Sequence, residues 1–188
     1  MKMKPVWILI SLLLLASLLL GGCAPSTSNP QTQAYPKYLP YGSSAISYQN
    51  LSAPAENSCQ VRTVDLIAAW VNAQAPEQEA FPFTDVNGKD CQGTFDVDIL
   101  PLFTTANLWY AGALSCRTCH GPDTAVSQAA LNLSSYAGIQ AGSKNGAILG
   151  SDWQSSKLNQ VFSTSMMPPN QPAGYNLNGP VIYAGVFQ

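Results

Sequence analysis

Cys116, Cys119 and His120 form one unbroken C-x-x-C-H run, and His120 is the chain's sole histidine. Three kinds of chemistry use such a pair of thiols. They can add to the vinyl groups of a haem while the adjacent imidazole ligates its iron. They can cycle between dithiol and disulfide, or supply half of a zinc site. Zinc needs about four ligands, and the remaining candidate thiols, Cys59 and Cys91, lie 32 residues apart with no second histidine. A thioredoxin-like pair belongs at a strand end in an alternating β/α pattern, which does not surround residue 116. Haem attachment is the reading the motif supports best.

An iron that carries electrons is expected to have its sixth position filled, and a thioether there raises the potential. The candidate is Met166-Met167-Pro168-Pro169, with Met167 lying 47 residues beyond His120. Methionine in a short chain is commonly core filler. Two prolines directly after it stiffen the backbone on both sides, which suits a loop that holds a thioether against a metal. Met167 is therefore expected to ligate and Met166 to pack beside the haem. Met1 and Met3 belong to the leader.

The elements that would position these groups read as helices. Leu66, Ile67, Trp70 and Val71 share one face of a helix over 64–71. A second is expected over 95–103, with Pro101 bending or ending it. A third begins in Leu131-Asn132-Leu133-Ser134-Ser135-Tyr136, capped by Ser134 and stopped by Gly142, and a fourth runs from Trp153 to Phe162 behind Ser151 or Asp152. Residues 75–91 read as loop, and the proline- and glycine-rich tail from Pro168 as extended and wrapping. No alternating strand pattern of any length is apparent, so the expected fold class is all-α. Leu114, Leu133, Tyr136, Trp153, Leu158 and Phe162 are candidate haem-pocket residues, and Arg117 a candidate partner for a propionate.

Lys2 and Lys4 precede an apolar run from Pro5 to Leu20, followed by Gly21-Gly22-Cys23. This is a secretory leader, and its apolar run is shorter than the ~20 residues of a spanning helix. Its end resembles the lipobox of bacterial lipoproteins, which implies that Cys23 is lipidated and opens the mature chain. Domains are then expected as leader 1–22, lipid-anchored arm 23–58 and haem domain 59–188. If lipid takes one cysteine and haem two, Cys59 and Cys91 remain and can form a disulfide in an oxidising compartment. The expected location is the outer face of the cytoplasmic membrane. Without the leader, six basic residues face ten acidic ones, a net charge of −4, which argues against nucleic acid as a partner. Residues 24–57 are rich in Ser, Pro, Gln and Asn, and as a coil would span roughly 30–35 Å. Tyr35, Tyr38, Tyr41 and Tyr48 within them suggest contact with a surface.

Cys116–His120, the L-x-L-S-S-Y segment at 131–136 and Met167-Pro168-Pro169 together resemble a monohaem, class I-type cytochrome c over residues 95–170. The resemblance implies one covalent haem c, axial ligation by His120 and Met167, and electron transfer rather than enzymatic catalysis. It also implies that Pro122 orients His120 through its carbonyl. The family's last helix has no counterpart after Met167, but residues 64–74 look like it, so the helix order is expected to be permuted. The lipobox, the arm and the Cys59/Cys91 insert narrow the resemblance to the monohaem lipoprotein subunit of alternative complex III. That implies a quinol-oxidising complex as partner and a periplasmic electron acceptor. The alternatives are a free tethered carrier, a haem peroxidase or dehydrogenase subunit, a gas sensor and a haem-bearing scaffold.

Overall fold

Val181-Ile182-Tyr183-Ala184-Gly185-Val186-Phe187 carries the β-branched and aromatic residues that suit a pleated, half-buried surface, and it forms the longest strand of the fold. The computed structural model describes residues 57–188. The expected leader, Cys23 and the four tyrosines of the expected arm lie outside the described residues. In chain order the strands are β1 (Ser58–Arg62), β2 (Phe81–Thr84), β3 (Asp90–Gly93) and β4 (Val181–Phe187). They make one antiparallel sheet in the order β1-β4-β3-β2, so the last strand inserts between the first and the third. This sheet overturns the all-α expectation. Each strand buries alternate residues: Cys59 and Val61, Phe81 and Phe83, Cys91 and Gly93, Ile182 and Ala184. Pro82 is tolerated because β2 lies on an edge of the sheet, where a missing N–H breaks no ladder.

The sheet curls back on itself. Asp85 builds the β2–β3 turn, its Oδ1 accepting from the backbone N–H of Asn87 at 2.7 Å and of Lys89 at 2.8 Å. From that turn Val86 N–H donates to the Gln60 carbonyl of β1 at 2.8 Å. The hairpin tip thus occupies part of the β1 edge, which would otherwise offer unpaired backbone groups. The same curl brings Cys59 and Cys91 together: they are joined by a disulfide, both fully buried, linking β1 to β3 past the intervening β4. Residues 75–91, expected as loop, therefore contain a hairpin and one end of a cross-link.

Helix α1 (Thr63–Asn72) follows β1 without a linker and buries Val64, Leu66, Ile67, Trp70 and Val71, the apolar face expected from the sequence. Residues 95–104 are helical too, but in two parts: one wide π-type turn over Phe95–Ile99, then α2 (Leu100–Thr104). Pro101 has no N–H to give the carbonyl four residues back and would crowd it, and the wide turn accommodates both. Trp70 packs on Phe95 with ring centroids 5.4 Å apart, so α1 lies against this segment. Asp98, buried within the wide turn, accepts from Thr94 N–H at 2.7 Å and from Gly185 N–H of β4 at 2.6 Å. Gly185 has φ +59°, and a Cβ there would stand 2.3 Å from the Gln92 carbonyl oxygen. Only glycine therefore allows the close approach that Asp98 clamps. Asp98→Ala strands two backbone donors in a closed site, and we expect it to lower unfolding free energy by about 2–4 kcal/mol. Chemical denaturation checks this, and a loss under about 1 kcal/mol would show the clamp to be dispensable.

The last two helices are shorter than the sequence suggests. Helix α3 is Tyr136–Ala141, capped by Ser135, whose Oγ accepts from Gly138 N–H at 3.1 Å. Ser134 instead closes a small turn on Asn132 Oδ1. Gly142, at φ +77°, ends the helix as expected. Helix α4 is Lys157–Ser163, capped by Ser156 through Asn159 N–H at 3.0 Å. Asp152 caps only the preceding turn, accepting from Ser155 N–H at 2.9 Å. Short polar residues that favour a cap also favour local turns, and here Asn132 and Asp152 took the second course.

Candidate haem-attachment site

Cys116–Thr118 form a single 3₁₀ turn that leads directly into Cys119 and His120. His120 N–H donates to the Cys116 carbonyl at 2.9 Å, and Thr118 N–H to that of Ser115 at 3.0 Å. The turn gathers both thiols and the imidazole onto a few residues of backbone. Both cysteines are half-buried as residues. Burial pushes the Cys116 thiol up to about 11. A thiol held that high is the reverse of the acidified, electropositive environment a redox-active C-x-x-C requires. Zinc fares no better: among the described residues no cluster of three or more His, Cys, Asp or Glu side chains could hold a metal ion.

His120 is 9% exposed, and its Nδ1 lies 3.0 Å from the Gln128 carbonyl oxygen. A carbonyl only accepts, so Nδ1 carries a proton, and in the neutral imidazole Nε2 is then the nitrogen with the lone pair. An imidazole oriented from behind through Nδ1–H is the form that ligates a metal through Nε2. The orienting carbonyl is that of Gln128, not the expected one of Pro122. No side-chain signal marks a backbone acceptor, but the loop that delivers it is unusual. Ala129 and Ala130, directly after Gln128, both have positive φ, 58° and 49°. Alanine resists that conformation, so packing holds the loop there: Gln128 N–H bonds to the Cys119 carbonyl at 2.9 Å, and Leu133 N–H to that of His120 at 2.8 Å. The segment after the motif thereby wraps His120 and buries Leu131 and Leu133.

Met167 is half-buried and Met166 is 58% exposed. Both backbone N–H groups bond to the Val161 carbonyl in the last turn of α4, at 3.0 and 3.1 Å. Positive φ at Ser165 and Asn170 brackets Met166–Pro169, and Gln171 Nε2 donates to the Met167 carbonyl at 3.2 Å. The loop is thus pinned at both ends. Among the expected pocket residues, Leu133, Trp153, Leu158 and Phe162 are buried. Tyr136 is half-buried with its ring edge-on to Phe95 and its hydroxyl on the Ala75 carbonyl. Leu114 departs from expectation at 64% exposed, and Arg117 faces solvent. Trp109, just ahead of the motif, stacks on Phe162 at 4.9 Å, and Trp153 flanks the same ring at 6.4 Å.

This region is tied to the core by the last residue of α1 and the loop after it. Asn72 Oδ1 accepts from Trp153 N–H at 2.8 Å, Gln74 Nε2 donates to the Ser151 carbonyl at 3.0 Å, and the Ala75 carbonyl accepts from Tyr136. The donor set suits haem c: two thiols on one turn, an imidazole with its ligating nitrogen left over, and a buried apolar surround.

Residues 116–171 match the family model described as planctomycete cytochrome C. The matched segment opens on Cys116 and closes just past Met167-Pro168-Pro169, and it supports a cytochrome c-type domain with covalently bound haem c and a role in electron transfer. No curated protein matches the chain.

Proposed function

We propose that this chain is a membrane-tethered one-electron relay with a single haem c, bound through Cys116 and Cys119 and ligated by His120 and Met167. The observation that carries the proposal is the Nδ1–H of His120 on the Gln128 carbonyl, which leaves Nε2 as the nitrogen able to ligate. The haem, when bound, supplies the ferric/ferrous couple. The chain's own part is to hold the imidazole in one tautomer, to offer a thioether from a loop fixed at both ends, and to keep water off with Leu131, Leu133, Leu158 and Phe162. A filled sixth position removes the open site that peroxidase or gas-binding chemistry needs. The lipobox-like end of the leader at Cys23 is what supports a location on the outer face of the cytoplasmic membrane. Its company is a quinol-oxidising assembly of the alternative complex III kind, from which it passes electrons to a periplasmic acceptor.

Mild detergent extraction followed by a native gel stained for haem tests the assembly. Migration in a large complex with quinol-oxidising activity supports the subunit reading, and migration near 20 kDa makes the chain a tethered free carrier instead. The oxidised protein should also show the methionine-to-iron charge-transfer band. Its absence, with rapid carbon monoxide binding to the reduced protein, would end the His/Met assignment.

A further inference from the structure

The Met167 loop is held at one end by α4. What holds the other end comes from a distant part of the chain. Tyr110, six residues before Cys116, donates its hydroxyl proton to the Pro169 carbonyl. Its ring meets that of Tyr175, in the tail beyond the loop, edge-on with centroids 5.8 Å apart. The neighbouring Trp109 grips the same structure at its root. Trp109 stacks on Phe162, next to the Val161 carbonyl that receives both methionine N–H groups, and its Nε1–H is fixed on the Leu102 carbonyl at 2.8 Å. The backbone around Tyr110 is closed as well. Ala113 N–H bonds to the Tyr110 carbonyl at 3.0 Å, and Asn107 N–H to that of Ala113 at 2.7 Å. Tyr110 is therefore rigidly joined to the segment that runs into Cys116, and its side chain reaches the segment that carries Met167.

The geometry points to Tyr110 as a positioning residue, whose hydroxyl sets the Met167 loop relative to the Cys116–His120 turn and so controls how firmly the sixth ligand is held. The inference rests on the proposed ligation by Met167. A thioether is a weak neutral ligand, and a loop free to swing at its Pro169 end lets it leave the iron more often. Cutting the tie to Pro169, with that of Gln171 to the Met167 carbonyl left in place, should raise the population with the ligand off by the worth of one hydrogen bond to a backbone carbonyl, about fivefold.

The test uses the haem-loaded full chain with Tyr110→Phe, which keeps the ring against Tyr175 and removes only the donor. Tyr183→Phe is the matched control: its hydroxyl accepts from Gln60 Nε2 at 3.1 Å on the sheet. Expected for Tyr110→Phe are a weaker methionine-to-iron charge-transfer band and carbon monoxide binding to the reduced protein about fivefold faster. Tyr183→Phe should match the wild type in both, with a denaturation midpoint close to that of Tyr110→Phe, which separates positioning from general loosening. A wild-type band and binding rate in Tyr110→Phe would overturn the role of Tyr110 while leaving Met167 as ligand. A wild type that lacks the band removes the ligation reading and this inference with it.

Discussion

Cys116→Ala/Cys119→Ala abolishes the haem that survives denaturing electrophoresis, and the chain still folds. Thioether bonds are the only links that persist once axial ligands are lost with the fold, so the stain reports those two sulfurs directly. Folding should persist because neither cysteine is fully buried, Cys116 packing only on the margin of the core. The turn's backbone bonds, Thr118 to Ser115 and His120 to Cys116, need no sulfur. His120→Ala should also reduce haem content at least tenfold, by removing the ligating nitrogen and leaving the Gln128 carbonyl without its imidazole partner. Met167→Ala, by contrast, should keep covalent haem and change its character: the charge-transfer band disappears, the potential falls and the reduced iron binds carbon monoxide. Heat-stable haem staining of the double alanine variant at wild-type strength would refute attachment at these residues.

The chemistry was more legible than the fold, for a physical reason. Thiols and an imidazole at fixed spacing carry their reactivity in residue type, so five consecutive letters suffice. A strand is recognised by alternation sustained over several residues, and here β1, β2 and β3 are four or five residues each. Pro82 interrupts one, and inward positions in two others are filled by Cys59 and Cys91, whose residue type signals a disulfide rather than core. β4 is long enough to see, but it follows a stretch so rich in proline and glycine that the tail reads as extended and wrapping rather than as a paired strand. The apolar helix 63–72 was legible because four residues on one face all go inward.

The site divides in the same way. Cys116, Cys119, His120 and Met167 are side-chain statements. The Gln128 carbonyl is a backbone statement, set by left-handed alanines that no propensity would place at 129 and 130. Tyr110 is a tertiary statement, since the partner of its hydroxyl is 59 residues away. What sequence could have offered for it is only a pattern: Trp109-Tyr110 is an aromatic pair just ahead of the motif, and each ring turns out to hold a different part of the methionine segment. The family match ends within the same boundaries, at 116 and 171, and leaves the sheet outside it. The sheet is thus a framework around a cytochrome c-type segment, joined to it by Asn72, Gln74 and Ala75.

That framework is where the second large effect is expected. Cys59→Ala/Cys91→Ala should lower the unfolding free energy by about 3–4 kcal/mol, the loop entropy restored to a denatured chain closed over some 33 residues. The closed loop includes the whole of α1 and β2, so the bond restrains in the denatured state the segments that frame the site in the native one. Both cysteines are fully buried, so shortening each to alanine adds a small packing loss. Against a typical total of roughly 5–15 kcal/mol, this is a large fraction, and the denaturant midpoint should move far while the slope rises slightly, since the uncrosslinked chain unfolds to a more open ensemble. Under mild conditions the haem spectrum should be that of the wild type, because the sheet's register is also fixed by the β1–β4 ladder and by the Asp98 clamp. A midpoint that hardly moves would mean that Val86 on Gln60 and Gly185 on Asp98 already hold β1 and β3 together, and that the disulfide serves some need other than stability.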